Sequence, residues 1–300
     1  MQQVVKLTLQ PLAQGFAVGL DAGTPLPLTQ MLIGRSVADV VSLLPRVFNL
    51  CRSAQEGAAR MALGLPLAAD FADQLARELL RDHLIKFCLS WPRCLNRPAQ
   101  PLPAREQVPV ALFGALGRMP ANLFEFDRWL ASGQGMAPLL QAIEQAFAPG
   151  EAVSVWPLST PDSVFQPTPQ DNTTAIRHHA HPVLQGLRQR LGAGPLWRAV
   201  ARLVDAEACV EQRLPGLQCL PDGTALAPAA RGVYALQASA QDGRLCAFRR
   251  VTPTDHLLMA QGVLAQSFAS LPHSKMALAP LLVDILDPCV PCQWEEVTNA

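Results

Sequence analysis

The residues best suited to chemistry lie near the C-terminal end, where "LDPCVPCQWEEVTNA" places Cys289 and Cys292 two residues apart between prolines. A terminal segment is ordinarily the least ordered part of a domain, so a thiol pair there needs a structural or chemical reason. Three chemistries use such a pair. A redox dithiol needs its first cysteine at a helix N-terminus, whose partial positive charge favours the thiolate. Too few residues follow Cys292 for a substantial helix, and two glutamates follow closely. A structural zinc site needs four ligands, commonly two such pairs. No second Cys-x-x-Cys exists, and "HHAH" (His178, His179, His181) reads more simply as a solvated loop. The third possibility is a site assembled from both ends of the chain, with Cys51 of "PRVFNLCRSAQ" as its upstream half. Cys88, Cys209, Cys219 and Cys246 are expected to be ordinary buried or half-buried thiols.

Elements that could position these thiols are legible in the hydrophobic pattern. Val5, Leu7 and Leu9 alternate with polar residues, and Phe16, Val18 and Leu20 alternate again after turn residues, which predicts a hairpin. "AADFADQLARELLRDHLIKFCLSW" brings Phe71, Leu75, Leu79, His83 and Phe87 onto one stripe, a helix expected to end at Pro92. "SVADVVSLLPRVFNL" is expected to run into a loop at Pro45, and "RSAQEGAARMALG" to be helical. Further helices are predicted near 135–147, 182–191, 195–212, 256–270 and 275–285. "GVYALQAS" and "RLCAFRRV" read as two strands joined by a turn, and residues 92–110 as an irregular proline-rich connection. The expected fold class is mainly α with small antiparallel β elements at the periphery.

The totals exclude several functions. The 300 residues are half apolar and 16% charged, enough for a sizeable core. Lys+Arg and Asp+Glu balance at 24 each, so no basic field exists for nucleic acid. No apolar run approaches the roughly 20 residues that span a bilayer, and the start lacks a secretory leader. The expectation is a cytoplasmic protein, with thiols that are reduced or bind metal rather than forming disulfides.

The cysteine motifs also resemble those of a known family. "DPCVPC" resembles the C-terminal DPCxxC signature of nickel–iron hydrogenase large subunits. "PRVFNLCRSAQ" resembles their N-terminal R-x-C-G-x-C signature with its following histidine. "LAQGF", "GRSVAD", "RDHLIKF", "ARGVYAL" and "VTPTDH" resemble further large-subunit segments, in the same order. The resemblance implies a reduced large-subunit fold as a single domain over 1–300, with the two cysteine motifs converging in one core. It places Cys51 and Cys292 at positions that bridge nickel and iron, and Cys289 at a nickel-only position. Phe48 stands at the other nickel-only position. Gln14 replaces a proton-relaying glutamate, and Gln55 the histidine after the second cysteine. Glu295 replaces the histidine at which large subunits are cleaved, so no cleavage is expected.

A soft thiolate lost at a nickel-only position leaves nickel short of a ligand, while iron keeps both of its own. This pattern is similar to that of the hydrogenase expression/formation proteins of the HupK/HoxV type, which are regarded as assembly scaffolds. The resemblance implies transient binding of an Fe(CN)2CO unit by Cys51 and Cys292, assisted by Cys289, and no nickel. By the same resemblance, Arg231 donates to one cyanide, and Thr254 with the backbone after Pro253 to the other. Implied partners are iron–cyanide assembly chaperones and the nickel-free large-subunit precursor. Other readings of the residues place Arg231 at the surface and Thr254 or Asp255 as a helix cap. At the level of function, a degenerate enzyme and a metal-free chaperone are the alternatives to a scaffold.

Overall fold

The structure, a computed structural model, describes residues 4–24, 26–47 and 50–295. Phe48 lies outside the described residues. The N-terminal hairpin forms as its alternation predicts. Strands β1 (Val5–Pro11) and β2 (Phe16–Asp21) pair antiparallel, with Leu9 opposite Val18. Gly15 closes the turn at φ +70°, and a Cβ there would sit 2.2 Å from the Ala269 carbonyl oxygen, so no other residue fits.

The chain then continues through α1 (Leu28–Leu32), α2 (Val37–Val47), α3 (Arg52–Ala62), α4 (Phe71–Ile85) and α5 (Trp91–Cys94). The loop expected at Pro45 is absent. Helix α2 carries Pro45 inside its last turn, because buried Val40, Val41 and Leu44 hold that face in the core. The α4 stripe is buried as expected, from Phe71 through His83. Pro92 does not end the helical run. A π-helical turn over Lys86–Ser90 passes into α5, where Pro92 occupies an N-terminal position that needs no N–H.

Next come α6 (Val108–Phe113), α7 (Leu123–Ala131), α8 (Ala137–Ala146), α9 (Ala175–His178), α10 (Pro182–Leu191) and α11 (Pro195–Val210). Helix α11 is the axis of the molecule. Every residue from Pro195 to Cys209 is buried, charged ones included. Such a helix must pair its own charges, and Arg198 does so with Asp171 at 2.8 Å.

A four-stranded sheet follows, in the order β3 (Gln218–Cys219), β4 (Ala225–Ala229), β5 (Gly232–Gln241), β6 (Arg244–Val251). The predicted β5–β6 hairpin is present. The sheet is not wholly peripheral, since β4 is buried throughout and α3 packs on β4 and β5. The helix expected over 256–270 is two, α12 (Pro253–Leu257) and α13 (Val263–Ala269), separated where Gln261 takes a left-handed conformation before Gly262. Helix α14 (Ala279–Leu286) is preceded by a 3-10 turn over His273–Leu278.

The last strand, β7 (Cys292–Glu295), pairs with β1 in parallel, Val5 opposite Cys292. This strand is parallel where only antiparallel pairing was expected. It brings the end of the described chain back beside its beginning. One hydrophobic cluster extends from β1 to α14, with Cys51 and Cys292 packed against it.

Candidate metal centre

The two cysteine motifs are held by backbone geometry at their first residues. Cys51 takes a left-handed conformation (φ 53°, ψ 43°) at the start of α3, and its carbonyl accepts the Gln55 N–H at 3.1 Å. Asp287, which opens "DPCVPC", takes the same conformation (φ 54°, ψ 61°) where α14 ends. Aspartate tolerates that region, and Pro288 prevents the helix from continuing.

Arg231 joins the two motifs. Its guanidinium donates from Nε to the Asp287 carbonyl at 3.0 Å and from Nη2 to the Asp287 carboxylate at 3.2 Å. Its Nη1 reaches Asp82 at 3.3 Å and the Cys51 sulfur at 3.6 Å. With its side chain 9% exposed, Arg231 is not the surface arginine that a strand start suggests. Burial opposes its charge, but Asp287, Cys51 and Asp82 together raise its affinity for the proton. Asp287 is the counter-ion of the region. It also accepts from Arg202 at 2.9 Å and from Lys86 at 2.8 Å. Burial works against its charge, yet these three cations hold its carboxyl well below the ordinary range. Lys86 opens the π-helical turn and spans Asp287 and Asp284, each at 2.8 Å.

The thiols lie in a different electrostatic setting. Burial pushes Cys51 up to about 11, with Arg231 pulling down and Asp82, Glu78 and Cys289 pushing further up. Cys292 is likewise pushed up to about 11 by burial, then by Cys289. At Cys51 desolvation therefore outweighs the pull of the neighbouring guanidinium. At neutral pH both are thiols, and a metal that binds them must displace protons.

Thr254 does not cap α12. Thr252 is the N-cap, accepting the Asp255 N–H while the Asp255 carboxylate accepts the Thr252 N–H at 2.7 Å. Pro253 is the first helical residue, and Thr254 is freed to face the C-terminal motif. Its hydroxyl oxygen accepts the Cys289 N–H at 2.8 Å, leaving the hydroxyl hydrogen available to an acceptor. Arg231, Pro253 and Thr254 line one cavity of about 10 Å³, together with Asn172 and Asp287. That is room for a single water-sized group. A larger pocket of about 410 Å³ opens beside it, lined by Cys289, Cys292, Lys86, Arg231 and Asp287 among others.

The structure thus brings Cys51, Cys289 and Arg231 to one place, with Pro253 and Thr254 against the same guanidinium and Cys292 beside Cys289. It does not gather the three sulfurs into one coordination shell. Among the described residues, the group with three possible ligand atoms within 4.8 Å of one another is His83, Asp205 and Cys209. That group is an ion-pair network. Asp205 accepts from His83 Nε2 at 2.7 Å, from His178 at 2.6 Å and from Arg177 at 2.9 Å. His83 accepts from Arg202 at Nδ1, which fixes its tautomer. Three cationic or N–H donors on one carboxylate leave nothing for a metal to neutralise. His178 is therefore no solvated loop residue, although His179 is exposed. Cys219 and Cys246 are exposed rather than buried, whereas Cys88 and Cys209 are buried. Gln14 is exposed at the hairpin turn.

The residues fit a cargo of soft metal with polar ligands. Thiols suit such a metal, while Arg231 and Thr254 offer hydrogen-bond donors to ligand atoms that carry negative charge. Sequence reasoning missed Asp287, Arg202, Lys86 and Thr252. Asp287 carried a signal, an aspartate before proline directly after an apolar helix.

Comparisons with known proteins reach two depths, family and fold. No family model matches the sequence. A hydrogenase expression/formation protein, HupK, of Rhodobacter capsulatus is 47% identical over 307 residues, covering 100% of each chain. Among solved structures, the Ni-Fe-Se hydrogenase of D. vulgaris Hildenborough superposes with a TM-score of 0.60 at 14% identity, covering 93% of this chain and 94% of that one. The Ni-Fe-Se hydrogenase of Desulfomicrobium baculatum gives 0.59 at 14% identity, covering 94% and 95%. At that identity the structural likeness speaks for the fold alone. It is the helical fold with small sheets seen here.

Proposed function

The chain belongs to the family of hydrogenase expression/formation proteins of the HupK type, and from that membership we propose that it is a non-catalytic assembly scaffold for a nickel–iron hydrogenase. Its cargo is an Fe(CN)2CO unit, received from iron–cyanide assembly chaperones and passed to the nickel-free large-subunit precursor. Cys51 and Cys292 supply the thiolates, and Cys289 assists entry and exit. Arg231 donates to one cyanide; Thr254, through its hydroxyl and the N–H after Pro253, donates to the other.

The observation that carries this reading is the position of Arg231. One buried guanidinium reaches Cys51, is fixed by the aspartate that opens the second cysteine motif, and lines a small cavity with Pro253 and Thr254. Cation, thiol and hydroxyl then converge from three segments far apart in sequence. The raised thiols suit a transient site. Protons compete with iron for both sulfurs, so the cargo is held less tightly than by preformed thiolates.

The test is iron and nickel analysis of protein purified without oxygen from cells that carry the complete maturation machinery. The scaffold reading expects close to one iron per chain and no nickel, with the iron lost from Cys51→Ser and from Cys292→Ser. Iron-free protein that still co-purifies with the precursor would make it a metal-free chaperone instead.

A further inference from the structure

Strand β7 leaves one side of its backbone unused. It is an edge of the three-stranded sheet, and among the described residues β1 is its only strand neighbour. Val5 lies opposite Cys292 and Leu7 opposite Trp294, and the Val5 N–H donates to the Pro291 carbonyl at 2.9 Å. In an extended strand the N–H and C=O of successive residues point to opposite sides. Gln293 and Glu295 therefore face β1 as Pro291 does, while Cys292 and Trp294 direct their main-chain groups outwards. The other sheet closes its edge. The Gly34 N–H donates to the Leu245 carbonyl at 2.8 Å and the Leu245 N–H to the Arg35 carbonyl at 2.9 Å, which covers the outer side of β6. An open edge is a template for a further strand, and β7 carries neither lysine nor proline to blunt it.

Two observations select the occupant of this edge. The strand begins at Cys292, a thiol that the proposed function gives to the cargo. Cys292 and Trp294 share one face of the strand, and both line the pocket of about 410 Å³, with Leu50 and Val290 in the same wall. Leu50 and Trp294 are 37% and 41% exposed, so the rim beside the open edge is apolar. Passing a metal from one protein to another requires the giving and receiving sulfurs to reach the same ion. Residues directly opposite each other on paired strands have Cβ atoms about 4.5–5.5 Å apart, on the same face. Strand pairing at β7 supplies that approach without any rearrangement of the chain.

We propose that an extended segment of the large-subunit precursor adds as a strand to the outer edge of β7 and sets a receiving thiol opposite Cys292, an inference that rests on the scaffold reading above. Transfer is then a ligand substitution. The iron–sulfur bond at Cys292 breaks as one to the receiving sulfur forms, the receiving thiol's proton passes to the Cys292 sulfur, and no electron is exchanged. Trp294 offers its ring to an apolar side chain of the same segment. Two substitutions separate backbone from side chain. Trp294→Ala removes the ring and keeps the outward N–H, whereas Trp294→Pro removes both and spares the bonds to β1, which belong to Gln293 and Glu295. Binding of the nickel-free precursor to the full chain is measured by biolayer interferometry without oxygen. Trp294→Pro should bind at least about 5-fold more weakly than Trp294→Ala, the least that an orphaned acceptor on the incoming strand costs. Hydrogen exchange of the unsubstituted chain keeps the test sound if proline unsettles the strand. The Cys292 and Trp294 amides should slow on adding precursor, with those of Gln293 and Glu295 changing little. Equal affinities of the two variants, or Cys292 and Trp294 amides unchanged in the complex, would overturn strand addition and leave the scaffold reading standing. A parent chain that does not bind the precursor overturns both. A parent that dimerises through this edge, with the dimer lost in Trp294→Pro, overturns the precursor as its occupant.

Discussion

Asp287→Asn is the substitution with the largest expected consequence. The carboxylate of Asp287 faces Arg202 at 2.9 Å, Lys86 at 2.8 Å and Arg231 at 3.2 Å, and its own side chain is 3% exposed. Arg202 and Arg231 are 5% and 9% exposed, so removing the negative charge leaves buried Arg202 with only the neutral His83 ring to receive its N–H, while Arg231 keeps Asp82 as its remaining carboxylate. An exposed pair would be worth at most about 1 kcal/mol. A buried pair broken from one side costs about 3–5 kcal/mol, because the remaining charge is uncompensated. For a chain of this length that corresponds to a fall in Tm of about 5–8 °C. Asparagine keeps the shape and the carbonyl that accepts from Arg231 Nε, which isolates the charge. Denaturant unfolding followed by circular dichroism is the assay. The pH dependence supplies a second check. A carboxyl held below its unfolded value stabilises the fold above the unfolded pKa and loses that contribution as pH falls through the folded one. The gap between parent and variant should thus be full at pH 7 and narrow below about pH 4. A variant within 1 kcal/mol of the parent at pH 7, or a gap that widens in acid, would refute the counter-ion role.

The remaining predictions concern the same region. Since Cys51 and Cys292 both lie near 11, binding of one Co²⁺ through both should release two protons, and apparent affinity should rise about 100-fold per pH unit below that value; a thiolate charge-transfer titration with no pH slope contradicts it. Thr254→Val removes the acceptor for the Cys289 N–H and should cost about 1–3 kcal/mol, whereas Thr254→Ser should be close to the parent in denaturant unfolding. Thr252→Ala removes the α12 cap and should cost about 1 kcal/mol by the same measurement, with Thr254→Ala and Thr252→Ala additive only if the two threonines have separate roles.

Local patterns were legible where one periodicity dominates. The β1–β2 alternation, the α4 stripe and the β5–β6 hairpin follow from spacing alone. Elements decided by burial were not. Helix α2 keeps Pro45 because its packed face outweighs the missing hydrogen bond, and β4 keeps Pro228 inside a fully buried strand. Strand β7 is only four residues long and forms because β1 lies beside it. The site divided along the same line. Cys51, Cys289, Cys292, Arg231 and Thr254 stood out through ordered motifs, whereas Arg202, Asp287 and His178 act through contacts across the fold. His83 and Asp205 are 122 residues apart in sequence, and no local pattern encodes such a pairing. Thr252 could have been found, since Thr-Pro followed by Asp at the third helical position spells a capping box.

The scaffold account rests most directly on what the two end-of-chain thiols hold. The decisive measurement is an infrared spectrum of protein purified without oxygen from cells with the complete maturation machinery, repeated for Cys51→Ser and Cys292→Ser. The account predicts cyanide and carbonyl stretching bands that vanish in both variants and that transfer to the large-subunit precursor on mixing. A well-folded parent without such bands, still bound to the precursor, would contradict it.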